Sequence, residues 1–372
     1  MNKTKELERA KKQKEKFYTA SQRQLIWWKF RKHKLAIASL WGLSILYLSA
    51  ILSNFLSPND PHNFFREYIN VPPTRIHFFS EEGFSRPFVY EINAKLNPET
   101  WLREYVENKD KKLPIRFFYQ GYSYRFLNLF ETDIHLFGLD GGRIFLFGAD
   151  STGRDLFARI IYGGRISLSI GLVGILFTFV LGVLFGGLAG YLGKTTDEVI
   201  MRTVDMIVSI PTLPLWMGLS AAVPRNWPVV KTYFVITIIL SVVGWAGLAR
   251  VVRGKFLTLK TEDFIMAARL AGCSELRIIF GHLLPSFYTY IIVSLTLSIP
   301  NMILGETALS FLGLGMQPPA ISWGVLLQQA QDLNAIANYP WILIPCVFVV
   351  LSVLMFNFCG DGLRDAADPY AK

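Results

Sequence analysis

Few side chains in this 372-residue chain could do chemistry, and the candidates are charged rather than nucleophilic. Asp150, Arg154, Asp155, Arg159 and Arg165 crowd one short stretch, and Glu306 stands alone in an apolar run. Such a cluster either binds a charged solute or pairs internally and pins its segment. The sequence has no nucleophile elbow, no Cys/His cluster and no pair of carboxylates at a defined spacing. Cys273, Cys346 and Cys359 are isolated and make neither a disulfide framework nor a metal site. Gly193-Lys194-Thr195 resembles the end of a phosphate-binding loop. That loop needs its first glycine at position 188, which is leucine, and it should follow a strand rather than a long apolar run. Neither ATP binding nor catalysis is expected of this chain, and no cofactor or metal site is read in it.

The elements around these residues are dictated by hydrophobicity. The chain is 52% hydrophobic with a mean hydropathy of +0.33, too apolar for a soluble protein of this length. Six apolar runs approach the ~20 residues that cross a bilayer. They lie at 35–56, 166–189, 201–223, 231–252, 286–309 and 340–360. Arg202, Asp205, Pro211 and Pro214 interrupt the third, as is tolerated where a span faces other helices. Gly182, Gly186 and Gly190 recur every fourth residue, a small-residue face suited to close helix packing.

The net charge of +10 does not indicate nucleic acid binding. Residues 1–34 carry 12 Lys/Arg and 3 Asp/Glu, so the remaining chain is close to neutral. A basic segment before an apolar span is a topology signal, and it suits anionic lipid. It predicts cytoplasmic N- and C-termini around six spans. Residues 250–277 carry a net +3, whereas 310–339 hold only Asp332, in agreement. The length of the first apolar run predicts a retained anchor rather than a cleaved signal.

Residues 57–147 read as an outer insertion with 20 aromatic residues, enough for a small α+β module. Asn97-Pro98-Glu99 predicts a helix running through Trp101 and Tyr105. Arg116 to Phe126, interrupted by Gly121, predicts a hairpin or a bulged strand. The aromatic excess suits a contact surface. The remaining chain, 148–372, reads as a core of five spans with a cytoplasmic loop at 253–285.

In that loop, Met266-Ala267-Ala268-Arg269-Leu270-Ala271-Gly272 is followed after nine residues by His282-Leu283-Leu284-Pro285. Phe264 to Leu270 reads as a short helix stopped by Gly272 in a left-handed conformation. Pro285 marks entry to the next span. The pattern resembles the EAA loop of ABC importer permeases. Ala267, Ala268, Gly272, Leu284 and Pro285 match it, while Met266 replaces a frequent glutamate and His282 a frequent isoleucine. Phe147-Gly148-Ala149-Asp150 through Gly153-Arg154-Asp155, Leu304-Gly305-Glu306 through Gly313-Leu314-Gly315, Ser322-Trp323-Gly324, and Phe356 to Pro369 resemble further boxes of the dipeptide, oligopeptide and nickel branch, on its C-type subunit.

The resemblance implies an all-α polytopic membrane protein of the type I importer permease fold. It also implies a translocation path shared with a B-type permease, two ATPase subunits that carry ATP and Mg, and an external solute-binding protein. Short peptides are the implied cargo, with nickel chelates or oligosaccharides as alternatives. A secondary transporter would instead show inverted repeats and midplane charges, which this sequence lacks. A bare membrane anchor would leave the 264–285 pattern without a purpose.

Overall fold

The computed structural model describes residues 20–368 except 81, 82, 97, 99–102 and 128. Most of the basic leader and the terminal Pro369 therefore lie outside the described residues. The chain opens with α1 (Gln22–Lys32), capped by Ser21 in a capping box with Gln24. It continues through α2 (Lys34–Ile51) and the short α3 (Ser53–Leu56).

The insertion is a sheet. Strands β1 (His77–Ser80), β2 (Gly83–Leu96), β3 (Arg103–Phe126) and β4 (Phe130–Leu139) pair antiparallel in chain order. The helix expected from Asn97 corrects to strand at its far end, since Arg103 pairs with Leu96 and Tyr105 with Ala94. Asn97, Glu99 and Trp101 lie outside the described residues. The Tyr105 ring packs against the buried cluster of Val71, Phe145 and Ala149, and its hydroxyl donates to the Ile69 carbonyl at 2.5 Å. That tertiary contact and the β2 ladder outweigh the local cap signal. Arg116 to Phe126 is a bulged strand, with the register shift between Gln120 and Tyr124.

The bundle follows, with α4 (Leu156–Leu192), α5 (Lys194–Ser209), α6 (Thr212–Ala221), α7 (Val229–Leu259), α8 (Asp263–Leu270), α9 (Glu275–Ile278) and a π turn (Ile279–Leu283). After these come α10 (Leu284–Phe311), α11 (Trp323–Gln328), α12 (Leu333–Asn338) and α13 (Ile344–Ala367). Among the described residues, five segments are long and apolar enough to span a membrane. The α5–α6 pair makes a sixth only as a span bent by 92°. The bend falls at Ile210–Pro211, where proline lacks an N–H and forces its predecessor into extended backbone.

The second span starts at Leu156, ten residues before the expected 166, because its charged first turns are paired rather than solvated. Gly182, Gly186 and Gly190 seat α4 on α7. A Cβ at Gly186 would stand 2.4 Å from the Ala249 carbonyl oxygen.

Candidate functional site

The sheet meets the start of α4, where Phe137 lies 6.1 Å from Phe157. The far end of α4 is held by Lys260, whose Nζ donates to the Gly190 carbonyl at 3.3 Å. The two clusters of candidate residues therefore occupy opposite ends of a helix 37 residues long.

At the far end, α8 begins after Glu262 and stops in a Schellman arrangement. The Cys273 amide donates to the Ala268 carbonyl (3.1 Å) and the Gly272 amide to that of Arg269 (2.9 Å). Gly272 has φ +76°, the left-handed conformation that its place demands, and a Cβ there would meet nothing within 4 Å. Ala268 and Ile265 are buried against Val252, Phe256, Ile278 and Leu283, which fixes the loop to α7. Ala267, Met266 and Pro285 are exposed, and His282 and Leu284 are half-buried. Pro285 cannot donate to the preceding turn, and the chain widens there: the Leu284 amide reaches the Ile279 carbonyl, a π turn. The outer face carries Phe264, Met266, Leu276, Phe280 and Leu270, the last 89% exposed. The base of the loop is tied by Arg253, which grips Asp197 on α5 through two contacts, one Nη2–Oδ2 bond of 2.6 Å and a second through Nε.

At the sheet end, Asp150 is the hub of a turn. Its Oδ1 accepts from the Thr152 amide (2.8 Å), the Thr152 hydroxyl (2.6 Å) and the Arg154 amide (3.0 Å). Its Oδ2 accepts from Arg154 Nε at 2.8 Å and faces Arg159 Nη1 at 3.7 Å. Burial pushes the Asp150 carboxyl up, but Arg159 and Arg154, with the Thr152 hydroxyl and the Arg154 amide, outweigh it and hold it below the ordinary range. Gly153 lies at φ +81°, and a Cβ there would strike the Phe65 carbonyl oxygen at 2.2 Å. Asp155 caps α4 by accepting from the Phe157 amide, and Asn59 donates to its Oδ2 at 3.0 Å. Burial pushes the Asp155 carboxyl up to about 7. Arg165 does not join this cluster. It donates to the Ala50 and Ile51 carbonyls at 2.9 and 3.2 Å and stacks 4.7 Å over Tyr162, closing the C-terminal end of α2.

Glu306 is fully buried and accepts from three serine hydroxyls: Ser322 (2.7 Å), Ser310 (2.8 Å) and Ser167 (3.3 Å). Each serine in turn accepts a backbone amide. Val325 donates to Ser322, Met316 to Ser310 and Trp323 to Ser167. The carboxylate thus holds the segment 313–328 between α4 and α10. The Trp323 indole completes the latch by donating to the Ile160 carbonyl at 2.9 Å. Of these partners, only Ser310 could be paired with Glu306 from its i+4 spacing. Ser167 and Ser322 are 139 and 16 residues away. Among the described residues, no group of three His, Cys, Asp or Glu could hold a metal ion.

The profile of the binding-protein-dependent transport system inner membrane component family matches residues 182–372. The profile of the N-terminal membrane domain of oligopeptide transport permease C matches residues 21–73. The chain is similar to the dipeptide transport system permease protein DppC of Bacillus subtilis, at 31% identity over 92% of this chain and 84% of the relative. It is 37% identical to the oligopeptide transport system permease protein OppC of Bacillus subtilis, over 60% of this chain and 71% of the relative. The Haemophilus influenzae OppC is 40% identical over 60% of this chain and 70% of the relative. An inward-facing structure of the MetNI methionine ABC transporter superposes with a TM-score of 0.43 at 20% identity, over 56% of this chain and 95% of that one. The chain belongs to the family of binding-protein-dependent ABC transport inner membrane components, on its oligopeptide permease C branch.

Proposed function

We propose that this permease subunit imports short peptides, and that the loop 264–285 couples it to two ATPase subunits. The observation that carries the coupling role is the contrast within that loop. Ile265, Ala268 and Leu283 are packed into the bundle, while Phe264, Met266, Leu270, Leu276 and Phe280 turn apolar surface outward. A loop anchored in this way passes the displacement of a docked partner to the helices behind it. Ala267 and Gly272 keep the approach open, and His282, Leu284 and Pro285 form the rigid exit into α10. ATP and Mg reside on the ATPases, and this chain carries no cofactor. Both termini face the cytoplasm, so the sheet faces outward. There it meets the external solute-binding protein or covers the gate. A B-type permease completes the path. Asp150, Gly153, Arg154 and Asp155 hold the outer entrance of α4, Arg165 ties it to α2, and Glu306 latches the segment that closes the gate.

The peptide cargo is supported by the relatives, which are named for dipeptide and oligopeptide transport. The test is reconstitution with its partners in proteoliposomes. ATP-dependent uptake of a labelled tripeptide, abolished by omitting the binding protein, is the expected result. Uptake of a nickel chelate or an oligosaccharide with no peptide uptake would overturn the cargo. Peptide uptake unchanged after Leu270→Asp and Leu276→Asp together would overturn the coupling surface.

A further inference from the structure

A polar cavity of about 300 Å³ opens on the sheet side of the bundle, between the loop that follows α3, the bulge of β3 and the turn that follows β4. Its size is at the lower end of small-molecule sites, about 300–1,000 Å³. Asn59, Asp60, Phe65, Gln120, Tyr122 and Arg143 line it. The bulge brings the β3 residues to this wall, since the register shift between Gln120 and Tyr124 bends the strand at that level.

The cavity holds one charge of each sign, and neither is neutralised by the described chain. Asp60 Oδ1 accepts from the His62 amide at 2.9 Å, which leaves Oδ2 free. The Arg143 guanidinium stacks 3.9 Å over the Phe65 ring. Among the described residues, no ion pair forms to either side chain. Burial, and after it the Asp60 carboxylate, pushes the Tyr122 phenol up, which places that negative charge near the ring. A third group is buried. Asn59 is 4% exposed, and its Nδ2 donates to the Ile144 carbonyl (2.8 Å) and to Asp155 Oδ2 (3.0 Å). Both partners are acceptors, which fixes the way the amide is turned. Its Oδ1 is the side left to the cavity, and it accepts from no donor among the described residues. A buried amide oxygen without a donor is costly, and a donor can reach this one from the cavity.

These three groups ask for one kind of ligand. A primary ammonium donates in three directions and serves Asn59 Oδ1 and the free oxygen of Asp60 together. A carboxylate meets the Arg143 guanidinium in a charge-assisted contact. We propose that this cavity binds a small zwitterion with a free α-amino group and a free carboxylate, an amino acid or a short peptide, with its ammonium on Asp60 and Asn59 and its carboxylate on Arg143. Through Asn59 the bound ligand is linked to Asp155, the cap of α4, so the site reports to the entrance of that helix. The proposal goes beyond the transport role. It rests on the groups of this cavity and stands whether or not the cargo is a peptide.

The test uses the assembled transporter in nanodiscs without its solute-binding protein. Cys273, Cys346 and Cys359 are replaced by alanine, and NBD is attached at Gln120→Cys on the cavity wall. L-Alanine or L-alanyl-L-alanine should change the emission saturably, and the tighter of the two gives the ligand length. N-acetyl-dialanine lacks the ammonium and dialanine amide lacks the carboxylate. Each should bind roughly tenfold or more weakly than dialanine, the weight of one charge-assisted contact. Asp60→Asn should erase only the preference over the N-acetyl compound, and Arg143→Gln only the preference over the amide. Should a variant fail to assemble, the two blocked compounds still decide the matter on the labelled parent. No response to either zwitterion, equal affinity for the blocked compounds, or preferences that survive both substitutions would overturn the proposal. A response to the solute-binding protein and to neither zwitterion would assign the cavity to that protein and overturn it equally.

Discussion

At the loop end of the bundle, five large apolar side chains point outward from a frame of small residues. At the sheet end, two carboxylates and an arginine point inward and are almost fully enclosed. Among the described residues, the apolar surface at the first end stays uncovered. The two carboxylates at the second end are hydrogen-bonded within the chain and Arg159 faces Asp150 at 3.7 Å, because an unpaired buried charge is costly. Substitutions should therefore separate the two ends. At the sheet end they should cost stability, and at the loop end they should cost function while leaving stability nearly unchanged.

The largest effect is expected at Glu306. Glu306→Ala strands three buried serine hydroxyls that each already hold a backbone amide, a loss on the order of 4 kcal/mol. Thermal unfolding in detergent should show a large drop, with Glu306→Gln intermediate because its amide accepts at only one oxygen. A Glu306→Ala protein as stable as the parent would remove the latch from the account. Asp150→Ala comes next. It leaves Arg159, only 2% exposed, without its carboxylate, at a cost of about 3 kcal/mol.

The two aspartates of the sheet end should also titrate with opposite sign. Asp150 is held below its ordinary range, so its contribution is present above about pH 4 and is lost as pH falls further. Asp155 is pushed up to about 7, so the fold favours its protonated form. Its contribution is full below about pH 4 and is lost as pH rises through about 7. Melting temperatures of the parent should therefore decline from pH 5 to pH 8 more than those of Asp155→Asn. Parallel curves for the two proteins would contradict the burial argument.

Smaller effects are expected at the loop end. Gly272→Val forces a β-branched residue to φ +76°, a strain of about 1–2 kcal/mol confined to an exposed turn. The protein should insert and assemble normally but transport less per ATP hydrolysed, and Gly272→Ala should be milder. Unchanged uptake at unchanged membrane level would dissociate the turn from coupling. Leu270→Ser should shift stability least, by less than about 0.5 kcal/mol, while weakening capture of the ATPase in a pull-down of the assembled complex. A large loss of stability there would mean that the residue is packed rather than presented.

Much of the loop end was legible because its information is local. The end of α8 at Gly272 follows from residues within a few positions of each other, through left-handed geometry, whereas Pro285 signalled only the entry to the next span and not the π turn before it. In the third run Pro211 was visible as an interruption, but the run reads as one span and the 92° bend was not legible. The sheet end was less legible. Asn97-Pro98-Glu99 carried a sound local helix signal, but Arg103 to Val106 pair with β2, and nothing in that local stretch specifies a partner strand. Arg165 lay close in sequence to Asp150 and Arg154 yet turned to the carbonyls of α2, more than a hundred residues earlier.

By itself the sequence determined that the chain spans a membrane and where its apolar spans lie. Bilayer thickness sets the length of an apolar run, and a proline or glycine acts on its own turn. Only the tertiary structure decided which buried polar groups meet. Ser167, Ser310 and Ser322 converge on Glu306, and Asn59 on Asp155, because helices and loops distant in sequence are packed together. Hydrogen bonds in a dry interior are demanded by each polar group but can be answered by any donor that the fold brings within reach, so the need was written in the sequence and the partner was not.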